Sequence, residues 1–491
     1  MNKKKIMILG MSPMPFENGI KVYGTGIRTW QFAMPLLEKG HKICIVGYAI
    51  PSAYPPGSTV VREKNCRVGR NNIFEYHILG KKDFEDISLL ASIAGDFKPD
   101  CLVGCTFYPS YIAARLKGAL ADSGIMEKIP PLWADLFGHV MAEAQAKASI
   151  DGDDTPLFHY WNSEYNTLQA ADIFSCVSKR QEYATVGELG ATGRLNRHTA
   201  GYEFTHTIPC GLPEGGFKHE KTVIRGKQGI SKDDFVILWS GGYNTWTDVD
   251  TLYQGLIAAM EKDASIKFVS TGGEIPEQDI KTYPYFLSLI KSGRFKERFL
   301  MKGWVPSRDV PDHYFEADIG INIDKNIYEV RLGSKNRILD WFRAGLCVLS
   351  SDVCELTEQM AIAGAGYVFR PGDQDDLVSK ILMLSTDREK VRSAAHAGKR
   401  LGLKEFSFSH TTEPLHAWVE RPAMAPDYGE EKVLFFEKDK ALKNMERVIA
   451  GYKEMISERD RRINEFQAIV KGRFPYKLYN YFKIAGRKIK K

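Results

Sequence analysis

Short β-branched runs and helical stretches alternate along the chain from residue 4 to about residue 385. This alternation predicts parallel strands with helices covering both faces of each sheet. It restarts near residue 233, after a turn-rich segment from Thr207 to Gly216 and a charged stretch that ends at Lys232. The sequence therefore predicts an α/β fold with two Rossmann-like, doubly wound domains in tandem. Ligands of such sheets bind where the strands end, so we expect a binding cleft between the domains.

The strands are predicted from short apolar runs bounded by turn residues. In the first half they are Lys5–Gly10, Lys42–Gly47, Ile73–Ile78, Cys101–Gly104, Pro131–Ala134 and Ile173–Val177. In the second half they are Phe235–Ser240, Ile266–Ser270, Phe299–Lys302, Ile319–Ile323, Cys347–Ser351 and Gly366–Phe369. With the linker between the halves, the first domain is predicted at residues 1–215 and the second at residues 216–427.

The character of the chain changes after Asp427. Apolar residues then recur at steps of three and four, with Arg459 filling one position of the series Leu442, Met445, Ile449, Tyr452, Ile456, Ile463, Phe466 and Val470. This repeat of 3.5 residues predicts a coiled-coil helix over residues 428–470. Its regular seam favours a homo-oligomer that associates through residues 434–470. A single amphipathic helix packed back on the body is the alternative.

The end of the chain is strongly basic. Residues 471–491 carry eight lysines and arginines and no acidic residue, whereas the whole chain has a net charge of only +6. Phe474, Leu478, Tyr481, Phe482, Ala485 and Ile489 lie on one face of a helix that begins at Pro475. Such a helix is typical of attachment to an anionic membrane surface, and a solvated basic tail is the alternative. Because the charge is confined to the tail, no nucleic-acid partner is predicted.

Several classes are excluded by what the sequence lacks. No apolar run approaches the ~18 residues that a membrane-spanning helix needs. The short apolar run at the N-terminus is interrupted by proline and glutamate, so it predicts a first strand and not an export signal. The eight cysteines form no CxxC pair and no Cys/His cluster with zinc spacing, which indicates reduced thiols and no metal site. We therefore expect a cytoplasmic protein held peripherally at the inner face of the plasma membrane by its tail.

Two glycine-rich turns that open helices are candidate phosphate-binding loops. The first runs from Glu17 to Gly26 and leads into a helix predicted over residues 27–39, so Gly24 and Gly26 let backbone N–H groups approach a phosphate. It is not a GxGxxG loop, so a nicotinamide cofactor is not indicated. The second places Gly241 and Gly242 after a strand, with Trp246 as a wall for a base. For both, an ordinary strand-to-helix turn is the alternative.

The most charged candidate site lies between Tyr328 and Gly345. A loop with Glu329, Arg331 and Lys335 leads into a helix that presents Arg337 and Asp340. A carboxylate can accept both hydroxyls of a ribose or another sugar. Basic side chains and a helix N-terminus can hold a diphosphate without a metal ion. A surface cluster of salt bridges is the alternative.

A third group of candidates follows the strand near residue 132. Asp135 ends that strand, and His139 and Glu143 follow at helical spacing. They could act as acid, base or hydroxyl-binding groups at the edge of the first domain. Because a lone histidine is more often structural, the alternative for His139 is a role in the fold.

Taken together, these segments resemble GT-B glycosyltransferases of the family-4 type, especially those from bacterial surface-glycan (O-antigen) clusters. The similarity covers roughly residues 4–427, and its most specific part is Glu329-Val-Arg331 before Asn336-Arg-Ile-Leu-Asp340. Its other parts are Gly24-Thr-Gly-Ile-Arg-Thr-Trp30, Asp135-Leu-Phe137, Cys176-Val-Ser-Lys-Arg-Gln181, Gly303-Trp-Val-Pro306 and Ala425-Pro-Asp427. Gly138-His139 replaces the Asp-Pro of the family, Glu329 precedes Asp340 by eleven positions where the common pattern has eight, and Asn244–Asp248 replaces a basic pair.

The resemblance implies a hexosyl or other glycosyltransferase that moves a sugar from a nucleoside-diphosphate sugar to a hydroxyl of a glycan or lipid-linked acceptor. It implies retention of the anomeric configuration and a role in polysaccharide biosynthesis. Asp340 would bind the ribose, Glu329 the donor sugar, and Arg331 with Lys335 or Arg337 the diphosphate. The first domain would supply the acceptor, with Asp135, His139 or Glu143 nearby. The nucleotide sugar is a substrate, and no cofactor or metal is expected.

Two other functions stay open on the sequence. One keeps the fold and changes the reaction, as in a sugar-nucleotide epimerase or hydrolase. The other is a non-catalytic sugar-nucleotide-binding scaffold whose coiled coil recruits partners, which the altered Gly138-His139 stretch allows. A dehydrogenase is least favoured, because no acidic ribose ligand ends the second strand, where Gly47-Tyr-Ala-Ile-Pro51 stands.

Overall fold

The computed structural model describes residues 3–17, 21–54, 62–68, 72–276, 278–430, 433–472 and 474–488. The chain divides into two compact units, Met1–Tyr428 and Gly429–Lys491. The first unit contains two separate β-sheets, one from each half of its sequence, with helices around them. Residues 18–20 of the predicted glycine loop and residues 489–491 of the predicted tail lie outside the described residues.

The first sheet has eight strands in the order β3-β4-β2-β1-β5-β6-β7-β8, parallel except for the antiparallel pair β3–β4. Its strands are β1 (Lys5–Ser12), β2 (Lys42–Ala49), β3 (Arg62–Val68), β4 (Asn72–Leu79), β5 (Cys101–Gly104), β6 (Leu132–Asp135), β7 (Ile173–Cys176) and β8 (Thr205–Thr207). Its helices are α1 (Gly24–Glu38), α2 (Lys81–Glu85), α3 (Ile87–Phe97), α4 (Phe107–Ser123), α5 (Val140–Asp151), α6 (Leu157–Ala170) and α7 (Lys179–Ala191).

The second sheet is parallel throughout, in the order β11-β10-β9-β12-β13-β14. Its strands are β9 (Phe235–Ser240), β10 (Ile266–Thr271), β11 (Phe299–Met301), β12 (Ile319–Asn322), β13 (Cys347–Ser351) and β14 (Tyr367–Phe369). The helices of this half are α8 (Val249–Lys262), α9 (Thr282–Ser292), α10 (Val310–Glu316), α11 (Tyr328–Leu332), α12 (Asn336–Ala344), α13 (Glu355–Ile362), α14 (Gln374–Thr386), α15 (Arg388–Glu405), α16 (Phe408–Thr411) and α17 (Glu413–Glu420).

Both sheets are buried on both faces, which is why their strands read as nearly continuous apolar runs. In β1, Met7 and Leu9 belong to the core on one face of the sheet, and Ile6 and Ile8 belong to the core on the other face. All four side chains are fully buried. Burial of each such side chain stabilises the fold by about 1.5–3 kcal/mol, so the central strands hold each domain together.

The last helices of the first unit return to the first sheet. Phe408, Leu415 and Val419 join the same core as the residues of β1. Trp418 packs edge-on against Trp133 of β6, with 5.6 Å between the ring centres. Asp427 then forms a buried ion pair with Arg194, in which the closest atoms are 2.7 Å apart. The segment after α15 therefore ties the second domain to the first.

The observed strands confirm the predicted fold class of two parallel, doubly wound sheets. Every strand predicted in the sequence is present, with its ends shifted by at most two residues. The prediction missed β3 and β8, which lie at the two edges of the first sheet. Helix α1 begins at Gly24, three residues earlier than predicted.

The second unit consists of α18 (Val433–Gly472) and α19 (Phe474–Lys488). Its helical character confirms the predicted helical tail, and at 1.5 Å per residue α18 is about 60 Å long. The seam residues of α18 are exposed, for example Met445, Tyr452 and Phe466 at 62%, 61% and 70%. Pairing of this helix in a coiled coil stays a prediction. None of the helices in the described ranges is both long and apolar enough to cross a bilayer.

Candidate functional site

The C-terminal edges of the two sheets meet in a cleft. Helices α1 and α12, which follow two of the predicted binding loops, begin there. A methyl group added to Gly24 would lie 2.7 Å from Nδ2 of Asn336, so the N-termini of α1 and α12 are close neighbours. Nearby, Lys21 Nζ lies 3.7 Å from the centre of the Trp304 ring. In the described structure, neither N-cap side chain accepts a hydrogen bond from its own helix. Two uncapped helix N-termini therefore face one cleft and favour an anion.

Lys335 forms the centre of a charged cluster at the start of α12. Its Nζ lies 3.7 Å from Oδ2 of Asp324, which follows β12, and 3.9 Å from Oε2 of Glu329. The side chain is only 8% exposed. Burial opposes the charge of this amine, but the two carboxylates outweigh burial and raise the pKa of Lys335. The site therefore contains a fixed, desolvated cation.

Glu329 belongs to the same cluster, and one of its carboxylate oxygens accepts no hydrogen bond from the described residues. Burial, opposed by Lys335, raises the pKa of the Glu329 carboxyl to about 7, and the charge of Glu143 contributes to the increase. Its Oε2 is buried, and no described residue donates a hydrogen bond to it. The carboxyl group is thus partly protonated near neutral pH and can exchange a hydrogen bond with a ligand hydroxyl.

Arg337 brings a second cation, which is half-buried, to the cleft. Its guanidinium stacks 3.9 Å from the centre of the Trp239 ring, and Nη2 donates to the carbonyl oxygen of Gly242 at 3.1 Å. Burial lowers the pKa of Arg337 below its ordinary value. Nη1 is also buried, and no described residue accepts a hydrogen bond from it. Stacking fixes the plane of the guanidinium, so this nitrogen is a directed donor with no protein acceptor.

The loop after β9 forms a wall beside these cations. Gly241 has a φ of +95°, which favours glycine. A methyl group on Gly242 would lie 2.3 Å from Cδ1 of Ile275, so the backbone approaches that side chain closely. The ammonium of Lys335 lies 5.4 Å from the centre of the Trp246 ring, which places Trp246 at the same cluster.

Asp340 and Arg331 lie at different depths in this region. Asp340 is half-buried one turn into α12, and burial, opposed by Arg343, raises its pKa to about 6. Arg331 is exposed, and its Nε donates to Oδ1 of Asn326 at 2.7 Å. The structure thus brings Glu329, Lys335 and Arg337 together and leaves the guanidinium of Arg331 at the surface. The binding roles of all these residues stay predictions.

Asp135 of the first domain lies outside the cleft, in a closed hydrogen-bond network. Arg28 of α1 donates to it twice, from Nε at 2.9 Å and from Nη2 at 2.7 Å. Ser175 Oγ and the Thr106 amide donate to the same carboxylate at 2.8 Å and 3.2 Å. The side chains of Arg28 and Asp135 are both fully buried. This arrangement joins α1 to β6, and the predicted catalytic role of Asp135 stays untested by it.

His139 caps α5, because its Nδ1 accepts a hydrogen bond from the amide of Ala142 at 3.2 Å. Its Nε2 lies 2.9 Å from Oε1 of Glu188. Glu164 lies close to both, with its pKa raised to about 8 by burial and by the charge of Glu188. Among the described residues these three have the spacing that a metal ion would need. Both ring nitrogens of His139 are already engaged by the protein, which disfavours metal binding there.

Glu143 lies where the two domains face each other. Its Oε1 accepts from Lys147 Nζ at 2.7 Å, and Lys147 donates to the hydroxyl of Tyr160 at 3.3 Å. Helix α5, which carries Glu143, packs against α11, which carries Glu329. The structure therefore brings Glu143 and Glu329 together from opposite sides of the cleft, although they are far apart in sequence.

A contact between the domains, which the sequence did not predict, joins the N-terminus of α7 to α11 and α13. Ser178 Oγ, at the N-cap of α7, donates to the carbonyl oxygen of Leu332 at 2.6 Å. The carboxylate of Glu355 accepts from the backbone amides of Lys179 and Arg180 at 2.9 Å and 2.6 Å. An acidic side chain of the second domain thus caps a helix of the first. Sequence could indicate Ser178 as an N-cap, but not its partner.

Comparison with known proteins agrees with this geometry. Residues 234–387 match the family described as Glycosyl transferases group 1. None of the curated proteins matches the chain. Among solved structures, sucrose-phosphate synthase from Thermosynechococcus elongatus is similar at 12% identity and a TM-score of 0.61, with 85% of this chain and 99% of that chain covered.

Two further solved structures are similar to the chain. HepE from Anabaena in complex with UDP-glucose has 13% identity and a TM-score of 0.56, over 85% of this chain and 99% of that chain. The alpha,alpha-trehalose 6-phosphate synthase from Burkholderia multivorans has 10% identity and a TM-score of 0.59, over 86% and 97%.

These likenesses confirm the predicted GT-B fold, and the domain matched over residues 234–387 confirms the predicted enzyme class, a glycosyltransferase. Family 4 and the surface-glycan subgroup stay predictions.

Proposed function

We propose that this chain transfers a sugar from a nucleoside-diphosphate sugar to a hydroxyl of a glycan or lipid-linked acceptor, with retention of configuration. The observation that carries the proposal is the pair of cations at the N-terminus of α12, the buried Lys335 and the half-buried Arg337, with the buried Nη1 of Arg337 lacking an acceptor among the described residues. Such a site suits a diphosphate. HepE, a structural neighbour, was solved with UDP-glucose, which supports a nucleotide sugar as the donor.

The proposed reaction breaks the bond between the anomeric carbon and the diphosphate oxygen, which takes the electron pair. The sugar develops oxocarbenium character, and negative charge grows on the departing diphosphate. Lys335, Arg337 and the helix N-terminus stabilise that charge without reorganising, because the protein already holds them in place. Asp340 binds the ribose and Glu329 a hydroxyl of the donor sugar. No step requires a metal ion.

The acceptor hydroxyl then forms a bond to the anomeric carbon on the face that the diphosphate leaves. Its proton passes to the departing diphosphate oxygen or to a carboxylate at the cleft, and Glu143 is the carboxylate of the first domain that faces Glu329. Because water would compete with the acceptor, the contact between the domains has a chemical purpose: it closes the cleft around the donor.

A thermal-shift screen over nucleoside diphosphates and nucleotide sugars tests this function. A ligand at a hundred times its Kd stabilises a protein by about 2.7 kcal/mol. The donor should stabilise the wild type strongly and Asp340→Ala much less. Turnover of that donor only with an acceptor present supports a transferase, whereas conversion of the donor alone favours an epimerase or hydrolase. Binding without any turnover favours a non-catalytic scaffold.

Donor affinity should depend on pH through Glu329. Its pKa is raised to about 7, so the carboxyl is mainly neutral at pH 6 and mainly charged at pH 8. The charged form repels a diphosphate, so we expect the donor's Kd to increase about 5- to 10-fold from pH 6 to pH 8. A nucleotide sugar suits this measurement by calorimetry, because its own charge does not change over that range.

Glu329→Gln is the matched control for that measurement. It keeps the shape and removes the titration, so the slope between pH 6 and pH 8 should largely disappear. Dependence that remains below pH 6.5 reports Asp340, whose pKa is raised to about 6. An unchanged slope in the variant would show that Glu329 does not face the donor.

The contact between Glu355 and α7 should matter for turnover more than for donor binding. In Glu355→Ala the amides of Lys179 and Arg180 lose their acceptor, and α11 loses part of its support. We expect kcat to fall about 5- to 150-fold with a smaller change in donor Kd, as for a coupling of about 1–3 kcal/mol. Glu358→Ala, on the same helix and paired with the half-buried Arg180 side chain, is the control. Equal losses in both variants would contradict this role.

We also propose that the protein works at the cytoplasmic face of the plasma membrane, in bacterial surface polysaccharide assembly. The support is the basic tail, in which Tyr479, Tyr481 and Phe482 of α19 are exposed at 63–72%. Full-length protein should sediment with vesicles that contain anionic phospholipid and remain in solution with neutral ones. Protein without residues 471–491 should not sediment. Full sedimentation of that variant would contradict membrane attachment through the tail.

Self-association through residues 434–470 is the remaining part of the proposal. The seam residues of α18 are exposed, and isoleucine or valine fills most positions of one half of the heptad repeat, as at Ile449 and Ile456. Ile456→Asp should convert an oligomer to a monomer in sedimentation-velocity experiments. A wild type that is monomeric at micromolar concentration would contradict the proposal.

A further inference from the structure

Helix α6 presents a stripe of aromatic side chains on its exposed side, which we call the α6 stripe: Phe158, Trp161 and Tyr165. Phe158 is 70% exposed and Trp161 is 44% exposed. Their ring centres lie 5.8 Å apart, and Trp161 stacks on Tyr165 at 5.2 Å with 25° between the planes. Buried residues of α6 such as Ser163 and Thr167 lie on its other side. Large aromatic side chains that form a continuous exposed surface indicate a binding site.

The N-terminal end of α6, where the α6 stripe starts, lies near the proposed transfer site. Tyr160, in the same turn of α6, stacks on Phe107 just after β5, with 6.0 Å between the ring centres. Its hydroxyl accepts from Lys147, which pairs with Glu143, and Glu143 faces Glu329 across the cleft. Asp151, the last residue of α5, pairs with Lys281 of the second domain at 2.7 Å. The stripe therefore begins at the first-domain side of the cleft entrance, where an acceptor would arrive.

The charge around the α6 stripe selects among its partners. No lysine or arginine occurs between residues 148 and 178 of the sequence, whereas Asp153 and Asp154 lie in the turn that leads into α6 and Asp151, which pairs with Lys281, ends α5. Those three residues are exposed. An acidic rim repels an anionic membrane, a nucleic acid or a phosphorylated ligand. The partner is therefore neutral or cationic.

A neutral sugar unit fits both properties of the stripe. One face of a pyranose ring carries mainly C–H groups, which pack against the electron-rich face of an aromatic ring. Its hydroxyls donate to carboxylates and amide oxygens, and Asn162, next to Trp161 in the sequence, and the exposed aspartates that precede α6 offer such acceptors. An aromatic surface alone would also suit an apolar partner, but a rim of carboxylates and amides would then stay unsatisfied.

We infer that the α6 stripe is a binding subsite for a neutral sugar unit of the acceptor, one or more units away from the hydroxyl that reacts. This inference rests on the proposed glycosyltransferase function and deepens it, because it makes the acceptor an oligosaccharide and not a single sugar or a bare lipid. Trp161 is the central residue of the subsite, since it contacts both other rings.

The experiment measures binding of neutral oligosaccharides to full-length protein by saturation-transfer NMR. The probes are gluco-, manno- and galacto-oligosaccharides of one to four units. We expect affinity to increase with length for at least one series, and Trp161→Ala to weaken binding of its tetrasaccharide about 10-fold while the monosaccharide is unaffected. Trp161→Phe should restore most of the affinity. Tyr183→Ala, an exposed aromatic residue on α7, is the control and should bind like the wild type.

The other outcomes separate this inference from the proposed function. Nucleotide-sugar binding should be unchanged in Trp161→Ala. A wild type that binds no nucleotide sugar would overturn the proposed function, and glycan binding would then be judged alone. A wild type that binds nucleotide sugar but no neutral glycan would overturn the subsite only. Vesicle binding that requires Trp161 would overturn the subsite in favour of a lipid surface. Glycan binding that is unchanged in Trp161→Ala would also overturn the subsite.

Discussion

Replacing Arg337 with methionine should lower kcat/KM for the donor about 10²- to 10³-fold, the effect of removing one preorganised donor from a developing negative charge. Methionine keeps an apolar contact with Trp239 and removes the guanidinium, whose Nη1 has no acceptor among the described residues. Removal of a half-buried charge that lacks a full partner should not destabilise the fold. Steady-state kinetics and a thermal melt on the same sample check both parts.

Two variants on the same helix show whether the geometry or the charge of Arg337 matters. Arg337→Lys keeps the charge and loses the planar fork, so we expect a loss about 10-fold smaller than that of methionine. Arg343→Met removes a guanidinium that bonds to the carbonyl oxygen of Gly215 and packs on Phe217, and its kcat/KM should stay within about 3-fold of wild type. If kcat/KM of Arg337→Met also stayed within about 3-fold of wild type, the diphosphate would be bound elsewhere.

The fold could be predicted from the sequence because its signal is local. A strand buried on both faces must be apolar at almost every position, as Ile6 to Leu9 are, so composition alone marks its place. The missed strand β3 shows the converse. It pairs antiparallel at the edge of the sheet and reads Arg-Glu-Lys-Asn-Cys-Arg-Val, so it carries little hydrophobic signal. Its place depends on its pairing with β4.

The candidate site could be predicted only in part, because it joins segments that are distant in sequence. The block from Glu329 to Arg337 is local, and its residues meet in the structure as the spacing indicates. Asp324 follows β12 and reaches Lys335 only through the fold of the loop between them. Glu143 and Glu355 approach the block from other elements, and no spacing rule connects them to it. Arg331 shows that even within the block the side of a short helix decides which charge is buried.

Asp135 illustrates a second limit, because sequence does not show whether a carboxylate at a strand end points to solvent or into a core. Here it is enclosed with Arg28, and four hydrogen bonds satisfy it. Burial opposes the charge of Arg28, but Asp135 outweighs burial and raises its pKa. Two charges that depend on each other in this way predict a large effect when only one is removed.

Arg28→Met should therefore destabilise the protein by about 3–5 kcal/mol, since it leaves Asp135 as an uncompensated buried charge. Asp135→Asn alone should be destabilising for the same reason, because Arg28 then lacks its counter-ion. The double variant Arg28→Met/Asp135→Asn should recover much of the loss, because no net charge stays buried. The asparagine carbonyl oxygen can accept from the Thr106 amide, and the Ser175 hydroxyl, which donates to the other carboxylate oxygen of Asp135, can turn to accept from the new amide group. Urea unfolding measured by fluorescence gives the three values.

Turnover of the double variant then separates the structural role of Asp135 from a catalytic role. Recovery of both stability and activity would mean that Asp135 acts by holding α1 against β6, whereas recovery of stability with no activity would support the catalytic role predicted from the sequence.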